Sequence, residues 1–274
     1  MKAILVATDL SPRSDLALHC GYALAEASGA RLVICSVVDD DLPGSLATKM
    51  AAEAKAGLDE VCKSISSYSA EVIVEVGEPV ATVLARADRV KADLVVLGQH
   101  RERPIWDIFH GTTMERIVRA TEIPVLLVRD PTENGYERVL CGVDLSPACA
   151  AAARKARQIA PKAEMAAFHA VHVPYQGLTR VPGGGPKALV PFVKDAETSL
   201  EAWWSEADLP EGLVKPMPVV GGLTASFGQE INRFKPDLIA IGAHGRAAFV
   251  PSLLGHFTES VIRNPPCDVI VVRR

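Results

Sequence analysis

The chain has few aromatic residues, no strong charge of either sign and no long apolar run, and each shortage excludes a class of protein. Aromatics supply 5% of the 274 residues although 49% are hydrophobic. The apolar mass is therefore Ala, Val, Leu and Ile, the filling of parallel strands buried under helices. A formal net charge of −4, with no cluster of Lys or Arg, leaves no basic field to hold a polyanion, so no nucleic-acid partner is expected. No stretch approaches the roughly 18 apolar residues that span a bilayer. The apolar start Ala3–Ala7 yields to Thr8 and Asp9 too soon for a secretory segment. The expected setting is cytoplasmic, without a membrane partner. The six cysteines, Cys20, Cys35, Cys62, Cys141, Cys149 and Cys267, contain no Cys-x-x-Cys pair and fall mostly in expected strands or helices, so they read as small buried hydrophobes.

Several catalytic signatures are missing too. No Gly-x-Gly-x-x-Gly follows either first strand, and no P-loop of the form Gly-x4-Gly-Lys-Ser/Thr occurs. Neither Gly-x-Ser-x-Gly nor a Ser/His/Asp constellation at strand ends is present.

What the chain does contain is a repeat. Asp237 to Arg263 restates Asp93 to Arg119: an acidic start, a short apolar strand, a glycine, a loop carrying His100 or His244, and a second glycine before a helix with Glu115 or Glu259 in its first turn. Asp144-Leu145-Ser146-Pro147 copies Asp9-Leu10-Ser11-Pro12. A strand that opens into a glycine loop and closes on a helix N-terminus gathers unpaired N–H groups and the positive dipole end, which suits an anion.

The first copy reads as strands at 3–8, 31–38, 71–76, 94–97 and 124–129 with helices at about 14–28, 46–67, 80–90 and 112–120 between them. That alternation implies a doubly wound, five-stranded parallel sheet in an α/β fold. Polar Asp130–Gly135 is the expected linker between domains at 1–130 and 137–274. The second copy offers strands at 139–143, 165–171, 214–220 and 267–272, plus an inserted loop at Val181–Pro186. Each half ends in an apolar strand, Val125–Val128 or Val269–Val272, that would leave an open sheet edge alone, so the halves are expected to pair as an intramolecular pseudo-dimer.

These motifs resemble those of the universal stress proteins, in particular tandem members of that family. The family's nucleotide loop runs Gly-x-x-Gly, nine residues, then Gly followed by Ser or Thr. Residues 242–255 keep Gly242, Gly245 and Gly255, with His256 at the hydroxyl position. Residues 98–113 keep Gly98, Gly111 and Thr112, with Arg101 at the middle glycine. The resemblance implies ATP, with Mg²⁺, as a regulatory ligand and at most feeble hydrolysis; it assigns no catalytic residue. It gives adenine and ribose to Asp9, Val37 and Leu97, or to Asp144, Val171 and Ile241. Phosphates fall to Gly98, Gly111, Thr112 and Thr113, or to Gly242, Gly245, Gly255 and His256. A further homodimer is compatible with it.

Each candidate also has a plain structural reading. Asp9 and Asp144 stand where a helix N-cap would, and Thr112-x-x-Glu115 is a capping box. His100 and His244 have no acidic or nucleophilic neighbour in sequence, so loop positioning competes with acid–base chemistry. His169 and His172, three apart beside a strand, point to opposite faces and make no metal pair. Trp203 and Trp204 share an amphipathic helix, where at least one belongs in a core or a domain interface. Three functions remain open: a nucleotide-binding regulatory protein, a weak ATP hydrolase, and an interaction protein with degenerate sites. Between the two halves, the intact glycine triplet favours the second as the nucleotide binder.

Overall fold

The computed structural model describes residues 1–99, 112–130, 135–171, 189–243 and 254–273. The first half contains β1 (Ala3–Thr8), α1 (Pro12–Ser28), β2 (Arg31–Val38), α2 (Gly44–Ile65), β3 (Ala70–Val76), α3 (Pro79–Val90), β4 (Leu94–Gly98), α4 (Thr113–Ala120) and β5 (Val125–Val128). The second contains β6 (Arg138–Gly142), α5 (Pro147–Ile159), β7 (Glu164–Phe168), β8 (Ala170–Val171), α6 (Val190–Glu206), β9 (Leu213–Val214), β10 (Val219–Val220), α7 (Leu223–Phe234), β11 (Leu238–Gly242), α8 (His256–Arg263) and β12 (Asp268–Val272).

Local chemistry sets the boundaries. Pro12, Pro79 and Pro147 open their helices, where a missing N–H leaves no bond unmade. Gly29 ends α1 with φ +65°, a conformation that favours glycine. The strands then assemble in the order β3-β2-β1-β4-β5-β12-β11-β6-β7-β9 as one ten-stranded sheet. All pairs within each half are parallel, and the halves meet antiparallel with Val125 opposite Val271 and Leu127 opposite Val269. The expected pseudo-dimer is thus observed, its two five-stranded sheets fused through the strands that would otherwise have been open edges.

Alternate residues of the buried strands feed two cores. Ile4, Val6 and Ile34 pack with Leu18 and Leu58 of α1 and α2, whereas Leu5, Val33 and Val95 pack with Val83 and Ile117 of α3 and α4. The first core continues into Val139, Ala152 and Met165 of the second half. Each fully buried Leu or Ile contributes about 1.5–3 kcal/mol. All six cysteines are buried and none forms a disulfide. Burial pushes Cys141 up to about 12 and Cys35 up to about 11, so both stay neutral thiols.

The second half departs from expectation at its outer edge. The stretch 165–171 is two strands, because the Val143 carbonyl is taken by His169 Nδ1 at 2.7 Å and the ladder to β6 stops at Phe168. A carbonyl only accepts, so His169 carries its proton on Nδ1. Residues 170–171 pair instead with β10 in a separate two-stranded sheet. The stretch 214–220 is likewise split into β9 and β10 by Pro216 and Pro218, which have no amide hydrogen for a ladder. Residues 131–134 of the expected linker and the insertion at Val181–Pro186 lie outside the described residues. Among the described residues no helix is long and apolar enough to cross a membrane.

Candidate functional site

An open α/β sheet takes its ligand outside the carboxyl ends of the strands where the strand order reverses. That point falls between β1 and β4 in the first half and between β6 and β11 in the second. Asp9 follows β1 and Gly98 ends β4; Asp144 follows β6 and Gly242 ends β11. The two halves therefore present matching crevices, each flanked by residues singled out from the sequence.

Neither aspartate is the helix cap. The N-caps are Ser11 and Ser146, and each aspartate folds Oδ1 back to accept the serine amide at 3.0 Å. This turn holds Leu10 at φ +62° and Leu145 at φ +64°. A left-handed residue bearing a Cβ costs about 1–2 kcal/mol, and strain of this kind collects at ligand sites. Burial opposes the charge on Asp9, but hydrogen bonds from Ser11 and Ser14 outweigh it and hold the carboxyl below its ordinary range. Beneath Asp9, the Thr8 hydroxyl donates to Ser14 Oγ at 2.8 Å. The second half has Val143 and Cys149 there, and burial together with the Asp144 charge pushes the Cys149 thiol up to about 11.

The phosphate ends of the two crevices differ more. Gly242 has no room for a side chain, since a Cβ would lie 3.0 Å from Ala148 Cβ and 3.1 Å from the Cys149 amide nitrogen. The bare backbone lets the end of β11 press on the start of α5. In the first half, Thr112 Oγ1 accepts the Glu115 amide at 3.1 Å while Glu115 Oε2 accepts the Thr112 amide at 3.3 Å. The expected capping box is present, and among the described residues the Thr112 O–H donates to no acceptor. In the second half His256 replaces that threonine, and the cap moves back to Gly255, which supplies no side-chain bond. Thr258 ties the first turn of α8 to β11 by donating to the Gly242 carbonyl at 2.9 Å. The Gly255 amide is occupied by the Ala243 carbonyl at 3.0 Å. Among the described residues, the amides of His256, Phe257 and Thr258 open the helix without a side-chain cap.

Among the remaining candidates, Val37 sits half-buried near the end of β2, Leu97 and Ile241 are buried near the ends of β4 and β11, and Thr113 is the first residue of α4. Val171 lies on the small separate ladder rather than the main sheet. His256 is exposed. Gly111, Gly245, His100, His244, Arg101 and His172 fall outside the described residues. Trp203 and Trp204, half-buried with centroids 6.1 Å apart, pack on the small core of Val143, Leu145 and Leu200, as their helix suggested. Among the described residues the one group of three metal-capable side chains is exposed Asp39, Asp40 and Asp41, in the loop after β2.

A feature invisible in the sequence joins the two phosphate ends. Glu115 of α4 meets Arg263 of α8 at 3.0 Å, and Arg119 of α4 meets Glu259 of α8. Within either helix Glu and Arg stand four apart, a spacing that suggests a pair along one helix. The structure crosses them between halves instead.

Comparison with known proteins places both halves alike. The model of the universal stress protein family matches residues 1–129 and again 135–273. Universal stress protein MJ0577 of Methanocaldococcus jannaschii is 22% identical over 47% of this chain and 94% of its own. A universal stress protein of Thermus aquaticus is 30% identical over 47% of this chain and 98% of its own. Over the whole length, the crystal structure of a universal stress protein from Archaeoglobus fulgidus superposes with a TM-score of 0.70, covering 99% of this chain and 98% of that one at 18% identity.

Proposed function

Because the chain belongs to the universal stress protein family along both of its halves, we propose that it is a tandem regulatory protein that binds ATP or a related adenine nucleotide without significant turnover. Its domains are 1–130 and 137–274, and its setting is the cytoplasm. The nucleotide lies in the C-terminal crevice, with adenine and ribose toward Asp144, Val171 and Ile241 and phosphates toward Gly242, Gly245 and His256.

The observation that carries this choice is the difference between the two helix starts. Helix α4 has spent its dipole on the Glu115 carboxylate, which is 1% exposed. Among the described residues, helix α8 opens with three amides that no side chain caps, beside a glycine pressed against a second helix N-terminus. An anion gains from such a start and loses where a carboxylate already stands. Magnesium would arrive as the counterion of the phosphates, since the acidic triad among the described residues lies in the loop after β2 rather than on α8. The same want of a carboxylate set there speaks for weak hydrolysis.

The test is calorimetric titration with ATP-Mg²⁺ of wild type, His256→Asp and Thr112→Asp. Aspartate suits both the N-cap and the first helical turn, so both variants should fold. One ATP per chain is expected, lost in the first variant and kept in the second. The reverse pattern moves the site to the N-terminal half. No binding by wild type returns the function to protein interaction through degenerate sites, and turnover above about 1 s⁻¹, ordinary for enzymes, would make the protein a hydrolase.

A further inference from the structure

The crossed ion pairs do not treat the two crevices equally. Glu115 serves two partners at once: Oε1 faces Arg263 while Oε2 accepts the Thr112 amide of its own helix. Glu259 holds the matching place on α8, and among the described residues its carboxylate meets Arg119 and none of the amides of α8. Its side chain is 29% exposed against 1% for Glu115. A carboxylate in the first turn of a helix is drawn to the amides there, as Glu115, the third residue of α4, shows; Glu259 is the fourth residue of α8, still in the first turn but one place further from the cap.

We propose that Arg119, a residue of the first half, is a positioning residue for the phosphate end of the second half: it draws the Glu259 carboxylate across the seam and keeps the start of α8 open to an anion. The inference rests on nucleotide binding in the C-terminal crevice. The two halves thereby form one functional unit, because the second site is complete only while α4 of the first half lies alongside α8. Arg263, the mirror residue, does nothing equivalent for the first crevice, where Glu115 keeps its own helix capped.

Four variants read this out by ATP titration. In Arg119→Met the stem remains but the charge and donors go, and Glu259 is released toward the amides of α8; ATP affinity should fall about twofold to fivefold, the usual range for a charge at a helix terminus. Arg119→Met/Glu259→Gln should return affinity to wild type or better, because the competing charge is gone. Arg119→Lys should restore most of it. Arg263→Met breaks the mirror pair in the same seam and should leave affinity unchanged. Adenosine, which carries no phosphate, should bind all four alike. Loss of affinity in both Arg119→Met and Arg263→Met, or no rescue by the double variant, would assign Arg119 a purely structural role and overturn the proposal. Wild type that binds no ATP overturns the nucleotide reading and this one with it. Wild type that binds ATP while Arg119→Met binds equally well overturns this one alone.

Discussion

Asp268 is the residue on which the seam between the halves can be tested most directly. It opens β12, is 1% exposed, and accepts from the Arg129 amide at 2.8 Å, the Asp130 amide at 3.1 Å and the Tyr136 hydroxyl at 2.7 Å. One carboxylate thus ties the end of β5, the entry to β6 and the start of β12. Asp268→Ala leaves a buried hydroxyl and two half-buried amides without an acceptor; at about 1–3 kcal/mol for each unmet group, less for the wetter amides, the loss is about 3–5 kcal/mol. Asp268→Asn keeps an acceptor at Oδ1 for both amides, removes the charge and puts an NH2 donor where Oδ2 accepted the Tyr136 hydroxyl, which must then turn to accept. Burial is the largest influence on Asp268 and raises its carboxyl above the ordinary value of about 3.9, against the pull of the three donors. A raised folded-state value means stability that is complete below the unfolded-state value and is lost as pH rises through the folded-state one. Wild type should therefore be at its best against Asp268→Asn near pH 4 and lose ground toward pH 7, in urea unfolding followed by circular dichroism. Titrating groups remote from Asp268 cancel in that difference. A wild type that gains on Asp268→Asn as pH rises would show that the donors outweigh burial, and the reasoning would fail.

Two further perturbations use pairs of positions that the fold makes comparable. Leu10 and Leu145 share the same strained φ, but Leu10 is 43% exposed and Leu145 7% exposed. Leu10→Gly relieves strain at little loss of burial and should change stability by at most about 1 kcal/mol in either direction, whereas Leu145→Gly also empties part of a core and should cost about 2–4 kcal/mol; equal thermal shifts would refute the reading of both turns. Gly242→Ala drives a Cβ into the backbone of α5 and should destabilise by about 1–3 kcal/mol and weaken ATP, while Gly57→Ala, inside α2 with nothing within 4 Å of the added carbon, should be neutral or slightly stabilising; matching melting temperatures for the two would refute it.

Most of the fold was legible because its signals are local and occur twice. Unbroken apolar runs, prolines at helix starts and the capping box at Thr112 and Glu115 each specify an element on their own, and the final strands announced their pairing by being apolar edges. The misses were tertiary. Nothing near His169 in sequence shows that its ring takes the Val143 carbonyl and ends the strand, although Pro216 and Pro218 were a readable sign against one continuous strand at 214–220. Asp9 and Asp144 follow β1 and β6, and their alternative reading as caps failed, because an Asp two residues before a Ser can close a turn on it and leave the cap to the Ser. The partner of each seam arginine was beyond reach, since it depends on where one helix lies against another.

Fusing two copies into one chain removes a constraint that a symmetric dimer must obey, namely that every change in one site appears in the other. This chain has used that freedom at several matched positions. Where the first half has Thr112, the second has His256, and the loss of one hydroxyl shifts the helix cap back by a residue and uncovers the start of α8. Where the second half has Asp268, the first has Pro124, so the carboxylate clamp occurs once and at the seam. Where the second half has Lys155, whose ammonium is held below its ordinary range by burial although Asp93 of the first half opposes the shift, the first has Cys20 beside the Tyr136 hydroxyl. The crossed pairs of Glu115, Arg119, Glu259 and Arg263 survive unchanged in both copies, and only the caps around them differ. A symmetric framework with asymmetric caps is what lets one half lend its arginine to the site of the other.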